Sequence, residues 1–68
     1  MAERLENRVR ELREARNLTQ AQLADLVGVS RKTINTVENG VFVPSTTLAL
    51  KLAAALNVPV EQLFWIAS

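Results

Sequence analysis

The stretch VSRKTINTVENG, Val29 to Gly40, sets Arg31, Lys32, Thr33, Asn35 and Thr36 around a narrow apolar stripe of Ile34 and Val37. The chemistry open to such a set is recognition. The guanidinium and ammonium donate, the hydroxyls donate or accept, and the carboxamide does both at once. Thr and Asn are middling helix formers, and a helix that needed only solubility would carry Glu and Lys instead. These residues call for a polar surface to face. Bond-making chemistry is poorly served, because the chain has no histidine and no cysteine. That removes the usual general base, the thiolate nucleophile and the commonest zinc ligands. No enzyme, cofactor, metal site or disulfide is expected.

The elements that must position these residues follow from periodicity and caps. Leu5, Val9 and Leu12 recur at helical spacing with Ala15 continuing the stripe, which predicts a first helix over about Glu3–Arg16, closed by Asn17 in a left-handed conformation. Thr19 and Gln22 form a capping box for a second helix over Gln20–Val27, with Leu18 placed to staple onto Leu23. Gly28 suits the positive φ of a helix end. Ser30 caps a third helix from Arg31 to about Asn39, and Gly40 stops it. Pro44 makes VFVP a loop. Ser45 caps a fourth helix over Thr46–Leu56, with Leu48, Leu52, Ala55 and Leu56 inward and Asn57 at its end. Pro59 starts a last short helix ending near Trp65, with Leu63 inward. The expected fold class is all-α, five short helices in one domain spanning residues 1–68.

With 68 residues, such a chain buries only roughly 60% of its unfolded surface and often gains from a partner subunit. Hydrophobic residues make up 49% of it, which argues against disorder. No apolar run has the length of a membrane span, and the opening MAERLENR is charged with no apolar core of a signal peptide, so no membrane role and a cytoplasmic location are expected. The net charge of +1 lends weak support to a nucleic-acid role. Arg31 and Lys32, however, lie in a segment with no acid between Asp25 and Glu38.

Two short helices joined by a tight Gly-containing turn and followed by a polar helix form a helix-turn-helix arrangement, here over about residues 19–39. Ala24, four residues before Gly28, is small enough for close crossing of the third helix. Ile34 and Val37 lock that helix onto Leu23, Val27 and Val29. The segment LTQAQLADLVGVSRKTINTVENG, then PS, an alanine- and leucine-rich helix and VPVEQLF, resembles the Cro/phage-repressor (XRE) type of helix-turn-helix domain, from about Asn7 to Phe64. Length and the short tail after EQLF resemble its small single-domain repressors.

The resemblance implies a lambda-repressor-like fold and a homodimer that reads a palindromic double-stranded DNA operator as a transcriptional regulator, a repressor in the first reading. The third helix would lie in the major groove, where Arg31 and Lys32 can donate to guanine O6 and N7, Asn35 suits adenine, and Thr33 and Thr36 can hydrogen-bond or press a methyl on thymine. It implies phosphate contacts from Gln20, Ser30 and Asn39, and an inward turn of Glu38 to pair with Arg13.

The chain departs from the pattern of the domains it resembles after ENG. They often carry a basic residue and polar side chains there; this chain has Val41, Phe42 and Val43. Either the Phe folds back onto the core or the loop is an apolar patch for a partner. Phe64, Trp65 and Ile66 crowd the end of a small chain that cannot bury all three. A dimer interface over Val60–Ile66, with Val60, Leu63, Phe64, Trp65 and Ile66 and with Phe42 at its edge, is therefore expected, the chain turning extended after Trp65. A second class of function stays open: a protein-interaction module, or an antitoxin-type partner of another regulatory protein, with weak DNA binding.

Overall fold

The computed structural model describes residues 3–68, so the first two positions of the 1–68 span lie outside the described residues. The elements are β1 (Arg4–Asn7), α1 (Val9–Ala15), α2 (Gln20–Val27), α3 (Arg31–Glu38), α4 (Thr46–Leu56), α5 (Val60–Leu63) and β2 (Phe64–Ala67). Five helices dominate, and the lambda-repressor-like class stands. The two strands are a small addition to it.

The middle helices begin where local hydrogen bonds can start them. Thr19 accepts from the Gln22 amide at 3.0 Å, while the Gln22 side chain accepts from the Thr19 amide at 2.8 Å, completing the capping box. Ser30 accepts from the Thr33 amide at 3.2 Å and Ser45 from the Leu48 amide at 3.1 Å. The helix ends use a residue at positive φ: Asn17 (56°), Gly28 (76°), Gly40 (73°) and Asn57 (58°). At Gly40 the Gly40 amide bonds Val37 O and the Val41 amide bonds Thr36 O, a Schellman closure that ends α3 at Glu38, with Asn39 as its cap.

The first helix is shorter than its periodicity suggests. Residues 4–7 pair with 64–67 as an antiparallel ribbon, Asn7 opposite Phe64 and Leu5 opposite Ile66. Arg, Leu and Glu favour a helix locally, but the pairing partner lies about sixty positions away and outweighs that weak preference. Asn7 marks the boundary: its Oδ1 accepts from the Val9 amide and its Nδ2 donates to Val37 O, both at 3.0 Å. At the other end, α5 stops at Leu63, and the chain is extended from Phe64 instead of from beyond Trp65.

One core serves every element. Val9, Leu23, Val27, Ile34, Val37, Leu48, Leu52, Leu56, Leu63 and Phe64 are buried in it, with Ala24 and Ala53 filling the close approaches and Leu18 and Val29 packed at its edge. Ala55, expected inward, is only partly buried. Fully burying an aliphatic side chain of this kind contributes about 1.5–3 kcal/mol. Among the described residues no helix is long and apolar enough to cross a membrane.

Candidate nucleic-acid interface

Ile34 and Val37 are 0% and 1% exposed, so α3 is anchored by one stripe and its other faces are held outward. The turn that sets this orientation passes through Gly28 at φ 76°. A Cβ there would meet nothing within 4 Å, so glycine is demanded by backbone conformation and not by space. On the outward side, Arg31, Lys32 and Asn35 are exposed, and with Gln20 of α2 they line a shallow hollow.

The two threonines are less free. Thr36 Oγ1 donates to the carbonyls of Lys32 and Thr33, at 3.1 and 3.0 Å, and Thr33 Oγ1 shares a 3.0 Å hydrogen bond with Ser30 Oγ. Such local bonds turn a threonine oxygen back onto its own helix. They also leave Thr36 its methyl group and oxygen lone pairs for any partner, with no free hydroxyl hydrogen. Ser30 Oγ accepts from the Thr33 amide as a cap and shares one hydrogen with Thr33 Oγ1, so both of its bonds hold it to the start of α3.

Behind this face lies a polar hub. The Glu38 side chain is 0% exposed. Arg13 Nε donates to its Oε2 at 2.6 Å and Nη2 to its Oε1 at 3.2 Å. Arg10 Nε and Gln20 Nε2 donate to Oε1 at 3.3 and 3.0 Å. Burial pushes the carboxyl up, but the hydrogen bonds from Arg13 and Gln20, the Arg13 charge and the Arg10 hydrogen bond outweigh it and hold Glu38 below its ordinary 4.5. The Arg13 pKa is raised, mainly by its hydrogen bond to Glu38 and against its own burial. Arg13 Nη1 also donates to Leu18 O at 2.8 Å, so one side chain ties α1, the α1–α2 turn and α3 together.

The hub engages two residues expected at phosphates. Gln20 turns its amide nitrogen inward, which leaves one Nε2 hydrogen and its backbone amide for a phosphate. Asn39 Oδ1 accepts from Arg10 Nη2 at 2.9 Å, and Asn39 Nδ2 donates to Asn35 Oδ1 at 3.2 Å. Arg10 is the residue that sequence reasoning missed. The available signal was its position three before Arg13, on the same side of α1.

The residues expected at a subunit interface divide. Leu63 is 0% and Phe64 9% exposed, both consumed by the subunit's own core, so neither has surface to give a partner. Trp65 stays 38% exposed with the Arg8 guanidinium carbon 5.2 Å from its ring centroid, a cation–π contact within the subunit. Ile66 and Phe42 remain open at 61% and 46%, and Val60 is half-buried. Phe42 therefore does not fold into the core.

Two short helices, α2 and α3, joined at a glycine turn, the second presenting a polar face, define a helix-turn-helix protein. The Helix-turn-helix family matches residues 9–63. An HTH-type transcriptional regulator of Bacillus subtilis, YgzD, is 40% identical over 62 residues, covering 91% of this chain and 94% of that protein. One from Methanocaldococcus jannaschii is 42% identical over 60 residues, covering 88% and 91%. The restriction-modification controller protein C.AhdI from Aeromonas hydrophila superposes with a TM-score of 0.77 at 42% identity, covering 81% of this chain and 83% of that one. PlcR of Bacillus thuringiensis, solved in complex with a peptide and DNA, gives 0.71 at 29% identity over 76% of this chain and 18% of that one. The chain belongs to the XRE-type helix-turn-helix family of DNA-binding transcriptional regulators, and it is not an enzyme.

Proposed function

We propose that this chain is a sequence-specific regulator, a repressor, that reads a palindromic operator in double-stranded DNA as a homodimer, each subunit laying α3 in the major groove. The observation that carries the reading is the division of α3: Ile34 and Val37 buried, Arg31, Lys32 and Asn35 exposed, beside Gln20. Arg31 and Lys32 supply donors for guanine edges, and Thr33 and Thr36 approach thymine through their methyl groups. Gln20, Ser30 and Asn39 hold the backbone, aided by the open amides at the start of α2. The domain spans residues 1–68 and works in the cytoplasm, on the nucleoid.

A gel shift with random-sequence duplex at two salt concentrations tests this. Retention that weakens as salt rises supports the reading. No retention at low salt contradicts it. Val41 and Val43, 77% and 68% exposed beside Phe42, favour a second reading in which this loop docks a regulatory protein and DNA binding is weak, as in an antitoxin-type module. That reading predicts failure in the same gel shift.

A further inference from the structure

We infer that a one-way chain of hydrogen bonds, Arg10 to Asn39 to Asn35, fixes the carboxamide of Asn35 with its nitrogen outward, so that this residue selects bases by donating; Arg10 and Asn39 are the positioning residues. The inference rests on the proposal that α3 reads DNA.

The direction follows from the chemistry of the first link. A guanidinium only donates and a carboxylate only accepts. Arg10 Nε bonds Glu38 Oε1, which lies in a fully buried side chain, and this fixes one edge of the fork. Its Nη2 meets Asn39, so the Asn39 atom facing it is the oxygen, at 2.9 Å. The Asn39 nitrogen is then the atom that faces Asn35, at 3.2 Å, and the Asn35 atom accepting from it is Oδ1. Each amide orientation, otherwise interchangeable, is forced by the one before it.

Asn35 is exposed on the face beside Arg31 and Lys32. Its oxygen is held toward Asn39, and both hydrogens of its Nδ2 are uncommitted among the described residues. Adenine is read by an Asn that donates to N7 and accepts from the N6 amino group. Here one lone pair of the accepting oxygen is taken by Asn39 and the oxygen is held toward the end of α3, away from an N6 amino group met by the nitrogen. Guanine, with O6 and N7, and thymine, with O4, suit a donor alone best; adenine offers N7 but sets its N6 amino group beside it, and cytosine, which shows only its N4 amino group, is the worst fit. This departs from the adenine contact expected of Asn35 from its residue type.

Substitution of Asn39 reverses the chain without emptying it. Asn39→Asp still accepts from Arg10 but has nothing to donate, so Asn35 turns its nitrogen inward and presents its oxygen. Binding selections from random duplex DNA with wild type, Asn35→Ala, Asn39→Asp and Arg31→Ala test this. The operator position that loses its preference in Asn35→Ala is expected to be guanine or thymine in the wild type, favoured about tenfold over cytosine. In Asn39→Asp the same position is expected to move to adenine or cytosine. A wild-type adenine or cytosine there, or an unchanged preference in Asn39→Asp, overturns the inference. If Asn35→Ala alters no position while Arg31→Ala still erases one, the inference falls and DNA reading by α3 stands; if neither alters any, both fall.

A second measurement needs no DNA and survives poor binding by the acidic variant. Side-chain nitrogen relaxation of the free protein should show ordered amides at Asn35 and Asn39, with mobility gained at both in Arg10→Met. Amides equally mobile in the wild type would contradict the inference.

Discussion

Arg13 reaches from α1 to Glu38 at the end of α3 through two hydrogen bonds, at 2.6 and 3.2 Å, and closes a carboxylate off from solvent. The contact ties the end of α3 to α1. It also keeps a negative charge away from the face proposed to meet phosphate.

Removing one partner is therefore worse than removing both. Arg13→Met leaves the Glu38 carboxylate buried with only Arg10, half in solvent, and Gln20; the expected loss is roughly 3 kcal/mol. Adding Glu38→Leu should recover a large part of it, because the stranded charge goes too. Urea unfolding of both single variants and the double variant measures the coupling. Strictly additive losses would contradict the pairing energetics.

Acid should unfold the protein partly through the same group. The folded state holds Glu38 below its ordinary value of 4.5, so the folded protein binds its proton less readily than the unfolded chain does. The stability this contributes is fully present above about pH 4.5 and is lost as pH falls through the lowered folded value. Glu38→Gln should be less stable at neutral pH and should lose less on going from pH 5 to 3, by chemical unfolding at each pH. An identical pH slope in both proteins would contradict this.

Gln20→Ala should weaken DNA binding by about 1 kcal/mol and by the same factor for every duplex, since a neutral phosphate contact carries no base information. Its salt slope should match the wild type, since the variant removes no charge. Titrations of two unrelated duplexes at several salt concentrations measure both. A sequence-dependent loss in Gln20→Ala would move that residue to the base-reading set.

A dimer, if built on the C-terminal ribbon, must use Trp65, Ile66, Val60 and the neighbouring Phe42, because Leu63 and Phe64 are already inside. The patch would be isologous, the same residues from each subunit. Ile66→Asp should give a folded monomer by sedimentation at concentrations of about ten micromolar, where a weak regulator dimer still persists. A wild-type monomer, or a dimeric Ile66→Asp, would contradict this interface.

The bounds of α2 and α4 were readable, with α3 ending one residue early, because their signals are local: Thr19, Ser30 and Ser45 cap within three residues, and Gly28 and Asn57 close within one turn. β1 was not. Its Leu5 fits a helical stripe with Val9 as well as it fits the strand, and only Ile66, at the far end of the chain, decides between them. The grouping of Arg31, Lys32 and Asn35 on one face followed from helical spacing. The links among Arg10, Asn39 and Asn35 did not, since they depend on how closely α1 packs on α3. The locked hydroxyls of Thr33 and Thr36 were equally hidden, because a threonine in a helix can turn its oxygen to the backbone or away.

The claim on which most depends is that α3 reads sequence, and selection from a pool of random duplexes tests it most directly. Enrichment of a two-fold symmetric site with half-sites about one helical turn apart is expected. Arg31→Ala should bind that site roughly 1–3 kcal/mol more weakly and lose the preference at one position in each half. No enriched sequence from the wild type, or the same enriched sequence at the same affinity from Arg31→Ala, would contradict it.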